Sequence, residues 1–158
     1  MNENTNSNNV AENATALTLC KDMSDEFQIQ EAGSGAALRF TTTTDDVKLF
    51  NAINGTGLKV ADFIGQTVNV TDIIVSNATV NVDMNDESED AEKCDKPCVH
   101  FILDTGDQIS SISNGIIRAA KNLLAVGFIP TPENPFTIRF KEIKTKRGTA
   151  HTFDLVSK

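Results

Sequence analysis

QTVNVTDIIVSNATVNV, residues 66–82, is the stretch on which the fold turns. Its even positions are mostly apolar: Val68, Val70, Ile74, Ala78, Val80 and Val82. Asp72 and Ser76 interrupt that row, and Ile73 and Val75 place apolar side chains on the opposite face. Alternation with a period of two is the mark of a half-buried β-strand. Seventeen residues far exceed the usual strand of about 5–6. A strand this long, apolar on both faces only at its centre, is expected to bend near Asp72 and serve two parts of a curled sheet, as small β-barrels require.

The segments after it supply partners. Residues 83–97, DMNDESEDAEKCDKP, carry seven acidic residues and little to bury, and read as a solvated acidic loop. Cys98 to Asp104 alternates again, with Val99, Phe101 and Leu103 on one face. Thr105-Gly106-Asp107 is a turn, and Gln108 to Ser113 a short third strand. Ile116, Ile117, Ala120, Leu123 and Leu124 form the single apolar stripe of a helix, stopped by Gly127 and the prolines beyond it. Phe136 to Ile143 and Thr149 to Val156 are two further strands around the basic turn Lys144 to Gly148. Strand, strand, strand, helix, strand, strand is the order of the five-stranded OB-fold barrel. The predicted fold is mainly β, with that helix between strands three and four and one extra N-terminal helix. The extra helix opens at Thr44-Asp45-Asp46, with Thr44 as cap and Val47, Phe50 and Ile53 as its apolar face, Leu49 beside them.

The domain layout follows. Residues 1–14 are Asn-rich and read as a disordered tail. Residues 15–43 form an extension in which FQIQ and ALRFTT flank Gly33-Ser34-Gly35 as a possible hairpin. Residues 44–158 make the OB domain, with the acidic loop 83–97 inserted. No apolar run is long enough for a membrane span, and the start lacks the basic and apolar regions of a secretory signal. Cys20, Cys94 and Cys98 make no disulfide framework. A cytoplasmic protein is expected.

The net charge of −8 excludes a uniformly basic nucleic-acid binder, but the charge is segregated. Residues 1–98 hold 6 Lys/Arg against 17 Asp/Glu; residues 99–158 hold 8 against 5. The C-terminal half is therefore net positive. Arg139, Lys141, Lys144, Lys146 and Arg147 fall within nine residues, on the fourth strand and the turn that borders the binding face in OB folds. Such side chains neutralise phosphates and release counterions. With no Tyr or Trp in the chain, any stacking on bases falls to Phe; most Phe lie on the apolar row of their strand or helix, which favours the core for each, and Phe101, Phe140 and Phe153 are the best stacking candidates.

KLFNAINGTGLKVADFIGQTVNVTDIIV, SISNGIIRAAKNLLAVG and the hairpin with KTKRG together resemble a family of phage single-stranded DNA-binding proteins from Gram-positive hosts. The likeness lies in a short helix with a Leu-Phe-Asn-Ala pattern, a Gly, a long strand with an internal Asp, and a Ser-x-Gly helix. It spans about 47–82 and 98–156. The chain departs from the family picture in lacking Tyr and Trp and in the turn Asp104-Thr105-Gly106-Asp107. The resemblance implies an OB-fold protein that coats single-stranded DNA (ssDNA) without strong sequence preference during phage DNA replication or recombination. Its expected partners are ssDNA, phage replication or recombination proteins, and further copies of itself, acting in the host cytoplasm.

Other chemistries are weaker. An OB module that binds only proteins, through its acidic half, is the main alternative. Asp104-Thr105-Gly106 after Phe101-Ile102-Leu103 copies the core of the dimeric aspartic-protease motif, but Asp107 adds a third charge beside the dyad, and the triad is also ordinary turn chemistry. Cys94, Cys98 and His100 offer three metal ligands at an unusual C-x3-C spacing with no fourth. His100 and His151 have no catalytic-triad setting, and Gly33-Ser34-Gly35 lacks the context of a phosphate loop. No enzyme activity, metal or cofactor is expected.

Overall fold

The computed structural model describes residues 30–31, 37–83 and 85–158. The expected tail 1–14 and most of the extension, with its Gly33-Ser34-Gly35 turn, lie outside these residues. Within them the protein is mainly β: β1 (Gln30–Glu31), β2 (Ala37–Thr41), α1 (Asp46–Asn54), β3 (Leu58–Lys59), a 3-10 turn (Val60–Phe63), β4 (Thr67–Asn81), β5 (Lys93–Leu103), β6 (Gln108–Ser111), α2 (Asn114–Ala125), β7 (Phe136–Thr145) and β8 (Gly148–Ser157).

β4 organises the sheet because it serves three neighbours. Thr67 to Val70 pair with β7, Ile74 to Ser76 with β2, and Val70 to Asn81 with β5. Its register with β5 slips between Val70 and Asp72, so Thr71 is the extra residue of a β-bulge. The Thr71 hydroxyl donates to the Ile102 carbonyl at 3.3 Å. The bulge reverses the alternation. Val68 and Val70 point into the barrel side before it; Ile73 and Val75 do so after it. Asp72, Ile74 and Ser76 then face outward. The even row therefore fails at Asp72 because the inward row becomes odd.

The inner core is built on Phe101, Phe140 and Phe153, whose rings meet edge to face at centroid distances of 5.5, 5.4 and 6.3 Å. Val70, Ile73, Val75, Ile109 and Ile138 surround them. α2 buries the predicted stripe Ile116, Ile117, Ala120, Leu123 and Leu124 against this cluster. Burying side chains of this size stabilises the fold by about 1.5–3 kcal/mol each.

A second, smaller core lies on the outer face of the sheet. There α1 lays Leu49, Ala52 and Ile53 onto Leu38, Ile74 and Ile102. This differs from the predicted face: Val47 and Phe50 are 70% and 66% exposed. The stripe used is i, i+3, i+4 from Leu49. The cap also shifts by one residue. Asp45, not Thr44, accepts from the amides of Val47 and Lys48 at 3.0 and 3.2 Å. Beneath the helix, the buried Asp72 carboxylate receives the Lys48 ammonium at 3.2 Å and the Thr71 and Thr42 hydroxyls at 3.2 and 3.4 Å. This ties α1 to the bulge.

Along the chain β4, β5, β6, α2, β7 and β8 follow one another as predicted, with α1 before β4, and they pair in the spatial order β6-β5-β4-β7-β8. β1, β2 and β3 extend the same sheet. Among the described residues no ladder joins β6 to β8, so the sheet is curled but open, and α2 lies against β8 at the gap. β5 also begins earlier than alternation suggested. Lys93 to Pro97 pair with Asn77 to Asn81, which shortens the acidic connection at its C-terminal end. The segment carries charge on both faces, so no period of two marks it as a strand.

Candidate nucleic-acid interface

The closing hairpin positions the basic residues. Phe136, Ile138 and Phe140 of β7 are buried, and the intervening Arg139 is exposed. Past Phe140 the inward row ends: residues 142–149 are exposed on both faces. The hairpin therefore continues beyond the core as an arm that carries Lys144, Lys146 and Arg147. Its turn is held by the Thr145 hydroxyl, which donates to the Gly148 carbonyl at 2.8 Å and accepts from the Arg147 amide at 3.3 Å. Gly148 sits at φ +127°, a conformation side chains other than glycine adopt at a cost.

The five predicted cations are not equivalent. Lys141 donates to both carboxylate oxygens of Asp154 at 2.7 and 2.8 Å, so its charge is matched. Arg139, Lys144, Lys146 and Arg147 have no acidic partner among the described residues. Glu142, the acid nearest in sequence, lies 3.6 Å from the His151 imidazole. Four solvent-facing cations thus remain on one hairpin.

Phe101, Phe140 and Phe153 lie in the core that their apolar rows favour, and not on a stacking surface. Their exposures are 0%, 0% and 7%, and their rings pack on one another, so none presents a face to a base. Phe50 is the exposed aromatic among the described residues, on the outward side of α1. Sequence reasoning assigned it to the core because Val47, Phe50 and Ile53 also share a helical spacing.

The outer face of β5 and β6 is roofed. His100 is buried there, with Nε2 2.7 Å from the Ser76 hydroxyl and Nδ1 2.8 Å from that of Ser110. The Gln108 amide donates to Nδ1 and to the Ala52 carbonyl of α1, both at 3.0 Å. The same amide also donates to the Ser110 hydroxyl at 3.0 Å, so both ring nitrogens are held inside a network of neutral partners. Burial lowers the His100 pKa to about 4, so the ring is neutral at physiological pH. Burial likewise raises that of the Cys98 thiol. Cys98 and His100 share a face of β5, but hydroxyls occupy both ring nitrogens and Cys94 lies exposed further out. Among the described residues no three His, Cys, Asp or Glu side chains gather as a metal site.

Asp104-Thr105-Gly106 closes the β5–β6 hairpin. Gly106 sits at φ +88° and its amide donates to the Leu103 carbonyl at 2.9 Å. The Asp104 carboxylate is exposed and accepts from the Asn69 amide at 2.9 Å. The acidic loop before β5 is folded by its own carboxylates: Asp86 accepts from the Ser88 amide and hydroxyl at 3.0 and 2.7 Å, which holds the Asp86 carboxyl below its usual range. No helix among the described residues is long and apolar enough to cross a membrane.

Searches among curated proteins and among solved structures return no match. The family model of phi29-type phage single-stranded DNA-binding proteins matches residues 32–156. That span takes in every element from β2 to β8, the bulged strand and the basic hairpin included. The chain therefore belongs to the phi29-type family of phage single-stranded DNA-binding proteins.

Proposed function

We propose that the protein coats ssDNA with little sequence preference during phage DNA replication or recombination in the host cytoplasm, and that it acts by binding and not by catalysis. The observation that carries this reading is the projecting β7–β8 arm, whose Lys144, Lys146 and Arg147, with Arg139 at its base, have no acidic partner among the described residues. Exposed cations on a projecting hairpin attract phosphates and read no base edges, so affinity comes mainly from counterion release. The strand order β6-β5-β4-β7-β8 with α2 between the third and fourth strands supports reading the curled sheet as a five-stranded OB barrel with its last seam unlaced. Self-association along a coated strand, and contact with phage replication or recombination proteins, belong to the same proposal.

The test is fluorescence anisotropy of labelled oligo-dT, oligo-dA and a mixed-sequence oligonucleotide across a salt series. Single strands give about −0.7 in the slope of log affinity against log salt for each phosphate neutralised. Four cations predict a slope of about −3, with the three oligonucleotides within a few-fold of one another. Absence of binding at low salt, or a slope near zero, would overturn the proposal.

A further inference from the structure

We propose that ssDNA runs through the groove between α2 and the β7–β8 hairpin, with Arg118 as a phosphate contact, and not across the outer face of β5 and β6. This rests on the ssDNA-binding reading above and says where the strand lies.

The second and third strands of an OB fold and their flanking loops are the surface that usually takes oligonucleotides. Here those strands are β5 and β6, and their outward side chains are already covered. His100 and Ile102 are 3% and 7% exposed, Ile74 and Ser76 on the adjoining β4 are 0% and 5%, and the Gln108 amide is bonded to the backbone of α1. A base cannot reach this face without removing the helix, which would break the Lys48–Asp72 pair and expose the second core.

The opposite side of the molecule offers a different track. Because among the described residues β8 pairs with β7 alone, its other edge lines a groove against α2. The groove has a volume of about 460 Å³ and is walled by Arg118, Asn122 and Val126 of the helix and by Ile143, Thr152 and Leu155 of the hairpin. That size lies within the range of about 300–1,000 Å³ seen for ligand sites. Its charge suits a polyanion. α2 carries Arg118 and Lys121 and no acidic residue. Arg118 is exposed and has no acidic partner among the described residues. Asp154 is the one acid lining the groove, and Lys141 neutralises it. Val126 and Ile143, 65% and 41% exposed, give bases an apolar surface that distinguishes none of them. Ile143 lies on β7, the strand that also carries Arg139 and Lys144, so the groove borders the base of the basic arm.

Arg118→Ala, Arg118→Lys, the triple variant Lys144→Ala/Lys146→Ala/Arg147→Ala, and Lys59→Ala on β3 beside β6 would be compared in the full chain by oligo-dT anisotropy across salt, with folding checked by circular dichroism. Arg118→Ala should flatten the slope by about 0.7, equivalent to about a 2.6-fold change in relative affinity over a fourfold range of salt. Arg118→Lys should restore it, and Lys59→Ala should leave it unchanged. If the triple variant flattens the slope and Arg118→Ala does not, the groove is refuted while the arm stands. If Lys59→Ala flattens it and Arg118→Ala does not, the strand runs along the β3–β6 side and the groove is refuted. If the unmodified protein fails to bind, both readings fall.

Discussion

Acidification should destabilise the protein through His100, by an amount the structure sets. The ring is 3% exposed, and burial lowers its pKa from 6.5 to about 4. Between those values the unfolded chain binds a proton that the folded chain refuses. Stability attributable to this residue is therefore unaffected above pH 6.5 and falls as the pH drops toward 4. Each tenfold difference in proton affinity between the two states corresponds to about 1.4 kcal/mol, so the full loss below pH 4 is about 3 kcal/mol, and at pH 5 it is already about 2 kcal/mol. The geometry agrees: the ring sits among the neutral Ser76, Ser110 and Gln108 groups at 2.7, 2.8 and 3.0 Å, which do not offset a positive charge. The measurement is urea unfolding of the full chain and of His100→Gln at pH 7 and pH 5, a window in which most carboxylates stay ionised. Gln cannot titrate there, so its stability should change less between the two pH values by about 2 kcal/mol, or about 1 M urea at an m-value near 2 kcal/mol/M. The variant will be weaker at pH 7 because it disturbs the Ser76–Ser110 network; only the difference between pH values matters. Equal losses in the two proteins would refute the argument.

Asp154→Asn should release Lys141 from its carboxylate and steepen the salt slope of oligo-dT binding by about 0.7; an unchanged slope would put Lys141 off the DNA path. Gly115→Ala would drive a methyl into the His151 carbonyl where α2 meets β8. It should lower thermal stability by about 1–3 kcal/mol despite a helix-propensity gain of about 1 kcal/mol, and a raised Tm would contradict the packing described. Lys48→Met leaves the Asp72 carboxylate buried with two hydroxyl donors. Removing one partner of a fully buried pair costs about 3–5 kcal/mol; with Lys48 one-third exposed, about 2 kcal/mol is expected in urea unfolding, and a loss below about 0.5 kcal/mol would show an ordinary surface pair.

What the sequence disclosed depended on whether a face meets one environment or two. α2 touches one core, and its stripe from Ile116 to Leu124 reads directly. The strand order also reads directly, because turns and prolines separate the strands. β4 meets the inner core and the α1 roof in turn, so its period breaks, and Asp72 with Ile73 and Val75 marks the place without saying which row is inside. α1 has two competing stripes, and the choice between Leu49–Ala52–Ile53 and Val47–Phe50–Ile53 depends on a sheet face that local spacing does not describe. The basic residues were legible because charge is read without knowing the fold. The core role of Phe101, Phe140 and Phe153 was legible too, since each falls on the apolar row of its strand and an aromatic on an inward row serves the core; which Phe, if any, faces solvent was not, because Phe50 lies on a helix with two competing stripes. Arg118 lay outside the α2 stripe in plain view, but its relation to the hairpin arises from a gap between β6 and β8 that spacing does not predict.

The three-way pairing of β4 also bears on the order in which the chain assembles. Its ladder with β5 begins at Asn81↔Lys93, and that of β7 with β8 at Thr145↔Gly148. Both are local and can zip outward from their turns. The seam between them joins Val70 to Phe136 and Thr67 to Arg139, across a much longer loop whose closure entropy is met only once both hairpins exist. Docking of two preformed hairpins is thus the expected late event in folding. Val68→Ala, on that seam, should speed unfolding in stopped-flow experiments and leave the refolding rate nearly unchanged. Slowed refolding would place the seam in the nucleus instead.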